Sequence, residues 1–431
     1  MREMKKTGIS WFPLIPVDWQ TGRIKDILSV LTDYTANGSF GDLAKNVTYL
    51  DYEDYARLVR LTDLRESLKN MGVYVDEDGY NYLSKSSLFG GEILVANVGA
   101  YAGLFCEMPT VDYPATLAPN MFLLRTNDVM LQHYLLYVGL SSFVWEQLCQ
   151  KAISSAQPKL NKTDVKTTFI PIPPISEQKL IADYLDSKCA EFNSTLSDIQ
   201  SQIEALEEYK RSVITEVVTK GLDPDVEMRD SGVQWIGMMP THWDCQRGKY
   251  LLRYVQKPDR DDDGVITCFR DGEVTLRSNR REEGFTMADK EIGYQGIDVG
   301  DLVVHGMDGF AGSIGISDSK GKASPVLNVL DTEQNKRYIM YYLRSMAYND
   351  VFVALATGIR VRSCDLRWNK LAELLYPMPP VEEQQAIVEH IDSVLERTNA
   401  IIADKKQQIE TIEEYKKSLI FEYVTGKKEV A

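Results

Sequence analysis

Part of this chain is written twice, and that restricts its fold more than any other feature. Pro171-Ile172-Pro173-Pro174-Ile175-Ser176-Glu177-Gln178 is answered 206 residues later by Pro377-Met378-Pro379-Pro380-Val381-Glu382-Glu383-Gln384. The match runs on without a gap to Thr219 and Thr425, with nearly half of the positions identical, Glu207-Glu208-Tyr209-Lys210 and Glu413-Glu414-Tyr415-Lys416 among them. Self-similarity over such a span signals a duplicated structural unit. Upstream, Trp11, Pro16, Trp19, Arg23 and Lys25 return as Trp235, Pro240, Trp243, Arg247 and Lys249, at an offset of 224. Between these anchors Gly91-Glu92-Ile93-Leu94-Val95 resembles Gly300-Asp301-Leu302-Val303-Val304, and Tyr101-Ala102-Gly103 resembles Phe310-Ala311-Gly312, at 209. The shrinking offset means that the second copy has shorter loops but the same order of elements. At ~100–200 residues per domain, 431 residues accommodate two globules, each with its own core.

The repeated tails read as helices. Leu185, Cys189, Phe192, Leu196, Ile199, Ile203 and Leu206 alternate steps of four and three, and Val213 and Val217 resume the pattern, which is a heptad seam. The second copy places Ile391, Leu395, Thr398, Ile402, Lys405, Ile409, Ile412, Leu419 and Tyr423 on the same seam. Prolines precede each run, Ser176 is a plausible N-cap, and Gly221 and Gly426 suit the ends. A helix over 177–219 would be about 64 Å long at ~1.5 Å per residue, too long for one globule to cover, so its seam needs another helix. The other copy can supply it, lying antiparallel in a dumbbell with pseudo-twofold symmetry; the alternative is that each helix folds back on its own globule. The inner regions carry strand and turn signals at 91–95, 121–124, 299–304 and 314–316, with helical stretches at 131–148 and 337–354. The expected fold class is therefore α+β: two mixed α/β globules at 1–170 and 223–376, with long antiparallel coiled-coil helices at 171–222 and 377–431.

Enzymatic chemistry finds no foothold. The six cysteines form no C-x-x-C pair and read as reduced, mostly buried thiols. His133, His242, His305 and His390 have no metal-ligand spacing. Asp259 to Gly264 imitates half of a calcium loop, but Arg270 stands where a bidentate glutamate is required. Gly315 to Lys322 imitates a phosphate loop with the wrong spacing, and Ala323 replaces the hydroxyl residue. The glycines of 310–315 read as a turn between strands, and neither Pro-Pro pair follows the Asn or Asp of an amino-methyltransferase motif. No run approaches the ~18 apolar residues of a membrane helix, and the polar start has no apolar signal core. A cytoplasmic location is expected.

Taken together, the paired Ile-Pro-Pro-Ile-Ser-Glu-Gln and Met-Pro-Pro-Val-Glu-Glu-Gln motifs, each leading into a long helix with Glu-Glu-Tyr-Lys, resemble the specificity subunit of type I restriction-modification systems. The openings Thr7-Gly8-Ile9-Ser10-Trp11 and Asp230-Ser231-Gly232-Val233-Gln234-Trp235 look like that family's domain starts. The resemblance covers essentially the whole chain, twice and in the right order. It implies that each globule is a target recognition domain reading one half of a bipartite, asymmetric site in double-stranded DNA, and that the helices are the spacer. It implies a non-catalytic chain without cofactors of its own. Two methylation subunits would bring S-adenosylmethionine and modify adenine N6, and restriction subunits would bring ATP and Mg. The resemblance also places the repeated segments against the methylation subunits, which makes Pro173, Glu177, Gln178 and Tyr209, with Pro379, Glu383, Gln384 and Tyr415, candidate partner contacts. Capping of the first helical turn is the plainer reading of the Glu-Gln pairs, and completion of the seam that of the tyrosines.

Physical reasoning agrees that two readers on a rigid rod would accept half-sites at one spacing, since DNA rises ~3.4 Å per step and a helical turn ~5.4 Å. Charge stands against DNA binding: 48 basic and 63 acidic residues leave a net −15, and both globules and both helices are separately acidic. Binding must then rest on clustered positive faces. The candidates are Lys151, Lys159, Lys162 and Lys166 before the first proline segment; Arg360, Arg362 and Arg367 before the second; and Arg277, Arg280 and Arg281 around Asn279, an amide able to read adenine. Taken singly, each is more simply a solvated surface charge. Trp11, Trp19, Trp235 and Trp243 recur in both halves, so packing at a shared domain entrance suits them better than base stacking. The competing reading of the whole is a coiled-coil scaffold whose globules bind proteins and not DNA.

Overall fold

The computed structural model describes residues 2–152, 157–260, 262–280, 292–355 and 366–430. They form two compact units, one of residues 1–199 with 407–431, the other of residues 200–406.

The heart of the first unit is a four-stranded antiparallel sheet in the order Leu28–Asp33, Met121–Thr126, Ile93–Ala96, Phe105–Glu107. Side chains alternate across a strand, and here both faces are covered. Ile93, Val95, Phe122 and Leu124 share one core with Tyr134, Leu135 and Val138 of helix Gln132–Leu140 and with Phe143 and Leu148 of helix Ser142–Lys151. Leu94, Met121 and Leu123 turn the other way, into a core with Val59, Leu88 and Leu117. Double coverage explains why these strands read as unbroken apolar runs. The second core belongs to another four-stranded sheet, in the order Tyr74–Val75, Ala56–Val59, Ala115–Leu117, Ser87–Leu88.

The second unit repeats the first sheet in the order Arg253–Val255, Leu327–Asp331, Leu302–His305, Ile314–Ile316. Leu302, Val304, Ile314 and Leu330 pack with helix Lys336–Tyr348, while Val303, Leu327 and Val329 face Ile266, Val274, Ile297 and Ala323. Here the outer sheet is replaced by two strand pairs, Ile266–Cys268 with Val274–Leu276 and Gln295–Ile297 with Gly321–Ala323. The inner layer is thus held in common and the outer layer differs.

Both helical stretches expected inside the globules are interrupted. The first breaks at Ser141, which is extended at φ −73°, ψ 147°. The second breaks at Asn349 and Asp350, the latter at φ +54°, a conformation that cannot continue a right-handed helix.

The long helices run Ile175–Lys220 and Val381–Val424. Ser176 is not the N-cap: the first helix begins directly after Pro174, whose carbonyl accepts from the Glu177 and Gln178 amides at 2.9 and 3.0 Å. A proline at this boundary leaves no amide to cap and presets the backbone. Gly221 and Gly426 follow the helices at φ +78° and +68°, the left-handed turn that glycine makes without strain. Within the first unit the Tyr184 ring lies tilted against Tyr423 (4.6 Å between centroids), Phe192 meets Tyr415 (5.5 Å), and Lys416 Nζ donates to Asn193 Oδ1 at 2.7 Å. Within the second, Lys210 Nζ donates to Asn399 Oδ1 at 2.8 Å and Lys405 Nζ to Gln202 Oε1. In each unit one residue number rises as its partner's falls, so the segments are antiparallel. Lys210–Asn399 and Lys416–Asn193 are one contact repeated at the 206-residue offset. Leu185, Cys189, Ile199, Ile203 and Val217 of the seam are buried, and Phe192, Leu196, Leu206 and Val213 are half-buried.

Candidate nucleic-acid interface

The site is built outward from the joint at which each globule meets a long helix. In the first unit the buried Trp19 donates its indole Nε1–H to Glu177 Oε2 at 2.8 Å, and Arg2 bonds both oxygens of the same carboxylate and Asp18. In the second, Trp243 donates to Glu383 Oε1 at 3.1 Å and His242 Nε2 lies 2.9 Å from Oε2. Gln178 is fully buried: its amide donates to the Val129 and Pro173 carbonyls, both at 2.9 Å, and accepts from Leu131 N at 2.8 Å. Gln384 does the same with Pro379 O, Gln334 Oε1 and Asn335 N. The repeated Glu-Gln pairs and the buried Pro173 and Pro379 are therefore the mortar of the joint. Tyr209 and Tyr415 differ from them in standing half-exposed on the helices.

The joint also contains residues that the sequence reading passed over. Tyr134 OH donates to Val424 O, and Tyr338 OH to Val218 O and Pro377 O. Tyr137 OH and Tyr341 OH donate to Asp186 and Asp392 at 2.5 and 2.6 Å. The available signal was a fourth echo, His133-Tyr134-Leu135-Leu136-Tyr137 against Arg337-Tyr338-Ile339-Met340-Tyr341, at an offset of 204. Non-identical apolar positions disguise it.

The candidate DNA-facing residues fall into separate groups. Lys159 and Lys162 line one cleft of about 310 Å³ with Asp33, Tyr34, Asn97 and Phe40. Lys159 is exposed and bridged through its backbone to Val98, and Lys162 is paired with Asp33 at 2.9 Å. Asn97 is pinned by its backbone, its N–H donating to Asn120 O and its carbonyl accepting from Leu160 N. Its side-chain Oδ1 is buried with no partner, an unusual state for an amide. Phe40 is 76% exposed at the cleft rim.

Lys151 lies elsewhere. Its ammonium donates to Asp164 O, Thr167 Oγ1 and Thr168 Oγ1 at 2.8–3.2 Å, and burial lowers its pKa, so it ties helix Ser142–Lys151 to the chain leading into the first long helix. Lys166 ends the short helix Lys162–Lys166, exposed.

In the second unit Arg277 and Asn279 sit on one 3-10 turn with Arg280 at its end. Arg277 Nε donates to Thr267 Oγ1, Asn279 Nδ2 donates to Thr275 Oγ1, and Arg280 pairs with Asp271 and Glu273 while covering the Phe269 ring at 4.2 Å. Arg367 is exposed before the short helix Trp368–Leu371. Arg281, Arg360 and Arg362 lie outside the described residues.

Each sheet also carries an acid-held turn. Glu92, 4% exposed, accepts from the Phe89 and Gly90 amides at 2.9 Å and from Arg125 at 3.1 Å. Asp301, at the matching place, accepts from the Asp298 amide and from Lys257. Phe89 in the first turn and Val299 in the second are 70% and 66% exposed; they stand at neighbouring and not equivalent positions, Asp298 matching Phe89 and Val299 matching Gly90, so the two turns display different side chains.

Among the described residues no group of His, Cys, Asp and Glu is arranged to hold a metal ion, and no helix is long and apolar enough to cross a membrane. Burial pushes the Cys268 thiol up to about 12, which leaves it protonated and unreactive at neutral pH.

Residues 16–205 match the family described as the type I restriction modification DNA specificity domain. A putative type I restriction enzyme MjaX specificity subunit of Methanocaldococcus jannaschii is 24% identical over 98% of this chain and 96% of its own length. The EcoBI specificity subunit of Escherichia coli is 22% identical over 87% and 80%. A solved chain from a study of complex assembly and conformational transition of the type I restriction-modification system shares the fold, with a TM-score of 0.65 at 14% identity, covering 96% of this chain and 99% of that one.

Proposed function

We propose that the chain is a specificity subunit of a type I restriction-modification system, and that it reads a bipartite, asymmetric site in double-stranded DNA, one half-site per unit; the match of residues 16–205 to the DNA specificity domain family supports this. The observation that carries this reading is the contrast within the repeat. The strand order of the inner sheet and the Trp-Glu and Gln-Pro contacts of the joint recur, whereas the outer layer and the side chains at the acid-held turns differ. Two readers of different base sequences need a common mount and unlike contact surfaces, because each base pair presents its own pattern of donors and acceptors in the major groove.

In this reading Lys159 and Lys162 contact phosphates, and Asn97 lines the same cleft. In the second unit Arg277, Asn279, Arg280 and Arg367 serve, with Arg281, Arg360 and Arg362. The chain has no catalytic role and no cofactor of its own. S-adenosylmethionine resides on two methylation subunits, which meet the half-exposed Tyr209 and Tyr415 and the surface around the Pro173–Gln178 and Pro379–Gln384 segments. Restriction subunits with ATP and Mg join the full complex, in the cytoplasm.

Methylome sequencing of the host with and without this gene tests the proposal. The expected result is a two-part adenine motif that disappears with the gene; an unchanged methylation pattern rejects it. Incubating the isolated chain with DNA and labelled S-adenosylmethionine should give no incorporation.

A further inference from the structure

The two units seat their inner helix on a long helix by different chemistry. In the first, His133 of helix Gln132–Leu140 stands between two carboxylates: Nδ1 is 3.0 Å from Glu107 on the sheet, and Nε2 is 2.8 Å from Asp186 on the long helix. Tyr137, from the same helix as His133, meets the ring edge-on at 5.7 Å, donates to Asp186, and has Cys189 beyond it. A neutral imidazole has one N–H and one lone pair, so it would turn that lone pair toward a carboxylate. Only the imidazolium donates to both. In the second unit Arg337 occupies the equivalent place, donating to Asp392 at 2.6 Å beside Tyr341. Ile316 stands where Glu107 would be. A guanidinium does not deprotonate in this range.

We propose that His133, held as an imidazolium by Glu107 and Asp186, is a positioning residue that seats the recognition sheet of the first unit on the long helix, and that this tie loosens as the pH rises while the tie through Arg337 does not. Burial of the ring opposes the charge, but Asp186 and Glu107 outweigh it, and the pKa is raised above the ordinary 6.5. The contribution of a group whose folded pKa is raised is complete below the unfolded value and is lost as the pH climbs through the folded one.

Hydrogen exchange of the full chain at about pH 6 and about pH 9, corrected for the intrinsic rate, tests this on either side of the ordinary histidine value. In the wild type, protection of 132–140 and of the facing 180–190 segment should fall several-fold at the higher pH relative to 336–348. His133→Arg should abolish the difference, and His133→Gln should show low protection at both values. Wild-type protection independent of pH, or a His133→Arg chain that still loses protection, overturns the proposal. Ring titration of histidine-labelled wild-type chain, with His133 assigned through the variants, gives a second measurement. A ring that is doubly protonated above pH 6.5 supports the tie, and one that titrates below that value rejects it.

Discussion

Single residues at the joint matter beyond their size because their polar atoms are buried and fully used. Truncating Gln178 to Ala would orphan the buried Pro173 O and remove the partner of Leu131 N, while Val129 O, on an exposed residue, can turn to water. Each unsatisfied buried group costs about 1–3 kcal/mol, so Gln178→Ala should lower the denaturant midpoint clearly, and Gln384→Ala should match it in the second unit; urea unfolding checks both. Asp331 has an opposite sign of pH dependence from His133. Hydrogen bonds from Lys336 and Arg253 hold its carboxyl down to about 2. A depressed carboxylate contributes stability above its unfolded pKa near 3.8 and loses it as the pH falls toward 2. An Asp331→Asn chain should therefore lose that part of the acid limb of its unfolding curve, measured as melting temperature against pH.

At the scale of elements, the match between helix and sheet is one of volume. A methyl group on Gly139 would lie 2.1 Å from the Phe105 ring, so the helix approaches its strand only because that residue has no side chain. In the second unit Leu343 stands in the place of Gly139 and Ile314 in that of Phe105, both fully buried in one core. The bulk has moved from strand to helix. Gly139→Ala should destabilise by about 1–3 kcal/mol through overpacking, and adding Phe105→Ile should restore part of the loss; a double-mutant cycle in urea reads the coupling. The seam of the long helices was legible from its apolar spacing, and with it the antiparallel partner, while the strands at 93–96 and 302–305 were legible as unbroken apolar runs, because both patterns follow directly from burial. The breaks at Ser141 and Asp350 were not, since local propensity does not disclose where a helix must turn to keep its buried face on the sheet.

For the whole molecule, the proposed DNA reading rests on a net-acidic chain presenting a few cations. Lys159→Ala should weaken DNA binding by the methylation complex at all sequences and reduce the slope of log affinity against log salt by about 0.9. Lys162→Ala should do less, because Asp33 already neutralises that ammonium. Filter binding across a salt series distinguishes them. Replacing residues 1–170 with those of a subunit of another specificity should change one half of the methylated motif and leave the other intact, which sequencing of modified DNA would show.

By itself the sequence determined the duplication, the long helices and the order of the elements, because each of these is written in residue types recurring at fixed spacings. It also carried the resemblance to a family, through motifs that occur twice. What only the tertiary structure decided is which polar residues are spent inside. Glu177, Gln178 and Lys151 look like contact residues in the linear chain, yet their partners Trp19, Val129 and Thr168 come from other elements. Whether a charge faces solvent or a buried acceptor depends on what the fold brings within about 3 Å of it, and a one-dimensional pattern does not contain that distance.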